Sequence, residues 1–198
     1  MAAEAQVEPE SRPPRERIFD AALEAFRRDG IAGTRLDDIA ASAGLSRPNL
    51  YRYFPNRKAL VVEVLIYEIR QVNAARWRQL TLCGPVRPLI LQSLMLGHET
   101  AHDEYRELLG FEREALAMTA DVASSEPSIL EAQFEYWVPV LEYGRVRREI
   151  APHLTNEQIV RWFLAAHVQL AERPELVPNG DVLVWFRDFV VPPVVVIP

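Results

Sequence analysis

Two short stretches of the sequence carry side chains whose types and spacing could do chemistry. In the first, Arg47, Asn49 and Arg52 fall within two turns of one helix, beside Tyr51. Arg can bond guanine through two hydrogen bonds, Asn can do the same for adenine, and Tyr can bind phosphate. This stretch could therefore read a DNA duplex, although a helical hairpin with a solvated basic face would show the same residues.

The second stretch is His98-Glu99-Thr100-Ala101-His102, which matches the zinc-peptidase pattern of two histidines one turn apart with a Glu that activates water. That chemistry needs a third ligand and a substrate-binding strand, and we identify neither. A metal effector held by His98, His102 and an acid is one alternative. We favour histidines that line a pocket or are buried and hydrogen-bonded. The sequence also shows no Gly-rich phosphate loop and no nucleophile elbow, so we predict no enzyme, no catalytic residue and no cofactor.

The elements that must position these side chains are helices. Nearly every segment from residue 15 onward has apolar residues at helical spacing and none has strand alternation, which predicts an all-α fold of about nine helices. A long helix from Asn56 to about residue 80 and a central helix over about 86–102 are the plainest cases. A capping box begins another helix at Thr155, and the last one starts near Asp181.

Around the first stretch, two short helices are joined by a tight turn. Gly44 can adopt the left-handed backbone that reverses the chain. Ser46 is placed to cap the second helix, and Thr34 to cap the first. Leu50 faces inward, so the polar side chains of the second helix face outward, as the recognition helix of a helix-turn-helix requires.

Charge is distributed unevenly along the chain. The net charge is −6, which by itself argues weakly against nucleic-acid binding. Residues 12–60 nevertheless carry a net +4, residues 61–198 carry −7, and residues 44–58 hold four positive charges and no negative one. Local charge decides what binds phosphate, so the N-terminal segment is the expected site of DNA contact.

Composition bounds the class of protein. At 198 residues with 49% hydrophobic residues, the chain can bury a stable core without disulfide or metal cross-links. Cys83 is the only cysteine, so no intrachain disulfide can form, which suits a reducing compartment. The N-terminal residues lack the apolar region of a secretion signal, and no apolar run is long enough to span a membrane. We therefore expect a cytoplasmic protein with no membrane partner.

The segment around the turn resembles the signature of the TetR family of bacterial transcriptional repressors. The matching residues are Gly30-Ile-Ala-Gly-Thr34, Leu36-Asp-Asp-Ile-Ala-Ala-Ser-Ala-Gly-Leu-Ser46, Leu50-Tyr-Arg-Tyr-Phe54 and Arg57-Lys-Ala-Leu60. The similarity covers about residues 15–62. It implies DNA contact by the residues at the matching positions, which are Thr34, Arg35, Ser46, Arg47, Pro48, Asn49, Tyr51, Arg52, Tyr53, Arg57 and Lys58.

At four of these positions the chain has a different residue from the one that the family usually has. Arg57 stands where the family usually has a Lys that anchors phosphate beside a helix N-terminus. Tyr53 replaces a frequent His, and Lys58 replaces a frequent Glu, which adds positive charge. Arg35 replaces a small hydroxyl residue, so its contact is either to phosphate or absent.

For the whole chain we expect a flexible arm over residues 1–14, a helix-turn-helix domain over 15–60, and an effector-binding and dimerisation domain over 61–198. The resemblance implies a homodimer that binds an inverted-repeat operator as a ligand-responsive repressor. A helical protein-interaction module without DNA binding is the rival class.

The resemblance places the dimer interface on the last two long helices, where this chain has wide apolar faces. The expected interface residues are Trp162, Phe163, Ala166, Leu170, Val182, Trp185, Phe186 and Phe189. Apolar and aromatic residues in the second domain favour a small hydrophobic effector, although core packing would explain them equally. The expected effector-lining residues are Trp77, Met95, His98, His102, Phe111 and Trp137.

Overall fold

The computed structural model describes residues 12–109 and 127–196, and within them the chain is helical. The helices are α1 (Pro14–Gly33), α2 (Leu36–Ser42), α3 (Arg47–Tyr53), α4 (Arg57–Trp77), α5 (Val86–Leu109), α6 (Pro127–Val146), α7 (Asn156–Glu172) and α8 (Val182–Trp185). A π-helical turn over Phe186–Val190 continues α8, and two 3-10 turns, Pro174–Leu176 and Pro178–Gly180, precede it. The described ranges contain no strand beyond an isolated bridge between Ile150 and Val195. The predicted all-α class is confirmed.

Local sequence signals set several helix ends where they were predicted. The Ser46 hydroxyl accepts a hydrogen bond from the Asn49 N–H at 3.4 Å and so caps α3. Thr155 forms the predicted capping box at the start of α7, and the Asp181 carboxylate caps α8. Gly30, the predicted stop of α1, has a φ of 70° and kinks the helix one turn before its end. These side chains and backbone angles satisfy or remove the unpaired groups that every helix end exposes.

Thr34 does not cap α2, and that prediction is wrong. The N-cap residue of α2 is Arg35, which makes no side-chain capping bond. Thr34 is only 3% exposed, and its hydroxyl lies 2.7 Å from the Gly30 carbonyl and 3.1 Å from the Ala25 carbonyl, as a donor to α1. The Thr34 N–H donates to the same Gly30 carbonyl at 3.2 Å, so both polar groups of Thr34 bond to α1 rather than to α2.

The described chain divides into two compact units, with boundaries inside α4 after residue 67 and inside α5 after residue 104. The sequence predicts a single boundary at residue 60. The first unit contains residues 12–67 and 105–109 and has its own buried core. Its most deeply buried side chains include Ile18, Phe26, Ile39, Leu50 and Leu60.

The second unit contains residues 68–104 and 127–196 and has a separate core. That core is centred on Ile90, Leu94, Tyr136, Phe163 and Phe186. None of the helices in the described ranges is long and apolar enough to cross a membrane.

Within the second unit, α5 and α7 approach closely at Gly97. A Cβ atom at this position would lie 2.7 Å from His167 Nε2, so only glycine leaves room for the ring. The His167 ring nitrogens lie 2.8 Å from the Phe163 carbonyl and 3.2 Å from the Leu94 carbonyl, which ties α7 to α5. Burial lowers the pKa of His167, while the two carbonyls act against that fall.

Candidate nucleic-acid interface

The packing of α3 on the first unit fixes which of its residues face outward. Leu50 and Phe54 are 1% and 3% exposed and anchor α3 to the core. The Phe54 ring lies 5.9 Å from the Phe19 ring, and the Arg15 guanidinium lies 5.5 Å from the centre of the Phe54 ring. With these anchors buried, the opposite face of α3 must be exposed.

The turn before α3 depends on a backbone conformation that glycine favours. Gly44 has a φ of 68°, and the following Leu45 N–H donates to the Ala40 carbonyl at 2.8 Å. A side chain at residue 44 would be strained in this conformation and would also come within 3.3 Å of Arg17 Nη1. The predicted role of Gly44 is confirmed by this geometry.

The outward face of α3 is polar and aromatic. Tyr51 and Tyr53 are 39% and 42% exposed. Leu45, Asn49, Arg52 and Tyr53 line a surface depression of about 290 Å³. The remaining predicted contact residues that are also exposed are Arg35, Ser46, Arg47, Pro48, Arg57 and Lys58. Hydrogen-bonding side chains around a shallow depression can meet the edges of base pairs, which lie recessed between two rows of phosphates.

Arg47 is held by two neighbours. Its Nη1 lies 3.1 Å from Asp37 Oδ2 on α2, and its guanidinium lies 5.7 Å from the centre of the Tyr51 ring. Tyr51 and Asp37 together raise the pKa of Arg47, so the guanidinium is charged throughout the physiological range. Sequence reasoning missed Asp37 as a partner, because the contact between residues ten apart arises only when α3 crosses α2.

Arg57 has an intrachain role that the sequence did not suggest. Its Nη2 donates to the Ile31 carbonyl and lies 3.2 Å from the Ala32 carbonyl. These carbonyls belong to the C-terminal turn of α1, where a positive charge is favourable. At the same end of α4, Asn56 Oδ1 accepts from the Ala59 N–H at 2.9 Å. Arg57 therefore joins α4 to α1, and its contact with phosphate stays a prediction.

The predicted effector-lining residues whose side chains the structure describes lie in or beside the core of the second unit. Trp137 is 3% exposed, with its ring 4.5 Å from the Phe163 ring. Trp77 and Met95 are partly buried against the same core, and His98 is partly buried on α5. Phe111 and the His102 side chain lie outside the described residues. Among the side chains that are described, no three His, Cys, Asp or Glu residues are grouped to hold a metal ion.

The predicted interface residues separate into three groups. Four of them lie in the chain's own core, so the prediction is wrong for these positions: Phe163, Ala166, Leu170 and Phe186. Val182 and Trp185 are partly buried against that core. Trp162 and Phe189 are 44% and 55% exposed, as an interface requires.

Two further exposed apolar residues lie on the same helices. Val168 on α7 is 41% exposed and Leu183 on α8 is 45% exposed. The sequence analysis did not include them, because it chose the interface residues mainly by the large aromatic side chains on these helices.

Comparison with known proteins relates the first unit to DNA-binding regulators. The sequence profile of the family described as "Bacterial regulatory proteins, tetR family" matches residues 18–64. The HTH-type transcriptional regulator RutR of Escherichia coli (strain K12) is 50% identical over 48 residues, which are 24% of this chain and 23% of RutR. The HTH-type transcriptional repressor SCO4008 of Streptomyces coelicolor is 34% identical over 99 residues, 48% of this chain and 47% of that protein. The chain thus matches 23% and 47% of the length of these two relatives.

Solved structures share the fold over nearly the whole chain. A tetR family transcription regulator from Shewanella sp. PV-4 superposes with a TM-score of 0.64 at 17% identity, covering 94% of this chain and 100% of that one. The transcriptional regulator FadR from Bacillus subtilis, in complex with stearoyl-CoA, gives a TM-score of 0.56 at 16% identity, with 89% and 95% covered. At these identities the likeness shows the fold alone.

Proposed function

We propose that the chain is a member of the TetR family of bacterial regulatory proteins and that it regulates transcription in the bacterial cytoplasm by binding a specific DNA sequence. The observation that carries the proposal is the outward face of α3. Arg47, Asn49 and Arg52 present donors and acceptors for base edges on a helix short enough to enter a major groove.

The other exposed residues of this surface bind the phosphate backbone. Ser46 precedes the base-reading residues and Tyr51 lies between two of them, each with a hydroxyl, and Lys58 lies at the start of α4. Phosphate contacts fix the register of α3 on the duplex but carry no sequence information. The proposal therefore assigns affinity to these residues and specificity to the three base readers.

The test separates the two assignments by measuring binding to a selected duplex and to a random duplex. Asn49→Ala and Arg52→Ala each remove about 1–3 kcal/mol on the selected sequence, which is roughly 5- to 150-fold, and lose much less on the random one. Arg28→Ala is the matched control, because Arg28 is exposed on α1 and paired with Asp29. Equal losses on both duplexes would refute base reading by α3. Wild-type binding that falls with salt but prefers no sequence would support the rival interaction module.

We further propose that the regulator is a homodimer on an inverted-repeat operator. Trp162, Val168, Leu183 and Phe189 support this, because large apolar side chains exposed on neighbouring helices mark interaction surfaces. A twofold dimer carries two copies of α3, so its operator has two half-sites of opposite orientation.

The proposed mode of regulation is repression relieved by a small, largely hydrophobic effector in the second unit. Support comes from its aromatic core around Trp137 and from two of the similar proteins, one named a repressor and one solved with stearoyl-CoA. An effector releases DNA only if it binds the DNA-incompetent state more tightly, and α4 contributes residues to both units.

A further inference from the structure

The surface depression on the first unit combines apolar and polar side chains in one lining. It has a volume of about 290 Å³ and is lined by Leu45, Asn49, Arg52 and Tyr53. Leu45 lies in the turn before α3 and packs against the core of the first unit, which holds its side chain in place. Tyr53 is the last residue of α3 and is 42% exposed, and its ring lies 6.5 Å from the buried Phe54 ring. Fixed apolar surface, an amide and a guanidinium therefore border the same open space.

The outward face of α3 is divided into two stripes. Arg47 and Tyr51 lie one turn apart, and the guanidinium lies 5.7 Å from the centre of the Tyr51 ring, so the side chains of this stripe contact each other. Asn49 and Tyr53 are also one turn apart, and the depression lies beside them. The second stripe is thus the part of α3 with room for a group that projects from a base pair.

The major-groove edge of an A·T pair presents groups that match this lining. Adenine offers its N7 acceptor and its N6 amino donor, and one Asn amide can bond to both. Thymine offers a 5-methyl group that projects into the groove, where apolar side chains contact it. A G·C pair has no apolar group on this edge. Apolar surface beside an amide therefore favours A·T, while the guanidinium of Arg52 favours a guanine in the neighbouring pair.

We propose that the depression binds the major-groove edge of an A·T pair, with the thymine methyl group against Leu45 and Tyr53 and the adenine bonded to Asn49. This proposal rests on the proposed function, since it states which base pair the same surface reads. It gives Leu45 and Tyr53 a role in sequence specificity, in addition to the three base readers already assigned.

The test compares the selected duplex with the same duplex in which deoxyuridine replaces every thymidine, a change that removes only methyl groups. The wild type should bind the thymidine duplex about fourfold more tightly for each methyl group that the depression buries, the equivalent of about 0.8 kcal/mol per buried CH₂. Replacing the thymidines one at a time should assign this effect to a single pair in each copy of the recognised sequence. The same replacement in the random duplex is the control for the methyl groups themselves and should change affinity much less. An equal change on both duplexes, or no change on the selected one, would overturn the proposal.

Leu45→Ala and Tyr53→Ala remove apolar surface from the depression, so each should bring the ratio of thymidine to deoxyuridine affinity closer to one. Both affinities in this ratio are measured on one protein, so a loss of folded protein in a variant cancels. Tyr51→Ala is the matched control, because Tyr51 is 39% exposed on the same helix but belongs to the other stripe. It should bind both duplexes more weakly and keep the wild-type ratio. A ratio kept in both Leu45→Ala and Tyr53→Ala, or lost equally in Tyr51→Ala, would overturn the proposal.

A second substitution in the DNA tests the adenine contact. At the pair found by the single replacements, guanine opposite 5-methylcytosine keeps the methyl group but replaces the N6 amino donor of adenine with an oxygen acceptor. The wild type should bind this duplex at least about tenfold more weakly than the A·T duplex, whereas Asn49→Ala should bind the two with similar affinity. A wild type that does not distinguish these duplexes would overturn the assignment of A·T.

Failure of this proposal is distinguishable from failure of the proposed function. Preference for the selected over the random duplex, with equal affinity for the thymidine and deoxyuridine forms, would overturn the methyl contact and leave sequence-specific DNA binding standing. Equal affinity for the selected and random duplexes in their thymidine forms would instead refute the proposed function.

Discussion

Arg47 brings an acidic neighbour into the proposed DNA interface. Its ion pair with Asp37 joins two side chains that are 59% and 42% exposed. Exposed pairs of this kind contribute only about 0.2–1 kcal/mol, so the pair does little for stability. It does restrict the guanidinium to one direction, and on the proposed function it places a carboxylate beside the phosphate backbone of the duplex. We therefore expect Asp37 to lower DNA affinity and to help select the base that Arg47 meets.

Replacing Asp37 with Asn should strengthen binding to every duplex and reduce the preference for the selected one. The first effect follows from removing a negative charge near phosphate, and the second from releasing Arg47. Fluorescence anisotropy on selected and random duplexes would show a severalfold gain on the random sequence and a smaller gain on the selected one. Asp38→Asn is the control, since it removes the same charge from the neighbouring position on α2. A ratio of affinities that changes equally in both variants would contradict a role for Asp37 in positioning Arg47.

Side chains that face outward could be predicted from the sequence, whereas those that bond to the backbone could not. The exposed residues of α3 follow from helical spacing around Leu50, because its apolar side chain marks the inward face of the helix. Thr34 and Arg57 instead bond to carbonyls of α1 at and beyond its kink at Gly30. Which carbonyls a kink leaves available depends on the three-dimensional path of the helix, and no local pattern reports it.

At the scale of elements, the first unit depends on how α4 begins. Arg57 bonds to the last turn of α1, Asn56 caps α4, and Leu60 is fully buried one turn later. The start of α4 is therefore fixed to α1 by a charged hydrogen bond and by core packing together. A change at Arg57 should act on the fold as well as on phosphate.

Arg57→Ala should lower the free energy of unfolding of the first unit by about 1 kcal/mol, because the exposed guanidinium bonds to carbonyls that water can partly satisfy. Arg57→Lys, which keeps the charge but loses the planar fork, should recover only part of it. Urea unfolding followed by circular dichroism gives the stability, and the salt dependence of DNA affinity gives the number of phosphate contacts. An unchanged unfolding midpoint with a smaller salt slope would instead make Arg57 a phosphate anchor alone.

The ends of helices could be predicted closely, but the use of their apolar faces could not. Ser46, Thr155 and Asp181 act through bonds to their own next turn, so their role is local and visible in sequence. The faces of α7 and α8 are apolar over a wide arc. Phe163 and Phe186 are buried in the chain's own core, and only the other apolar residues of these faces are exposed. Periodicity cannot divide one apolar face between an intramolecular and an intermolecular partner.

At the scale of the whole molecule, the proposed function on an inverted repeat requires two chains. Leu183 and Phe189 lie on the last helical segment and are 45% and 55% exposed, and Trp162 on α7 is 44% exposed. The Trp162 indole N–H donates to the Val190 carbonyl at 2.9 Å, which joins α7 to the π-helical turn and makes their exposed residues neighbours. Such a surface is stable in water when a second copy covers it, because removing apolar area from water is favourable.

We therefore expect the wild type to sediment as a dimer at micromolar concentration, and the double variant Leu183→Glu/Phe189→Glu to sediment as a folded monomer. Two pairs of like charges brought together in a twofold interface oppose association, whereas both side chains are solvated in the separate chains. Val146→Glu is the control, because Val146 at the end of α6 is 84% exposed and lies on neither of the helices in question. On DNA, the double variant should lose its advantage for a duplex with two half-sites over a duplex with one, while it keeps the wild-type order of preference among single half-sites. A monomeric wild type, or dissociation caused equally by Val146→Glu, would show that this surface does not form the dimer.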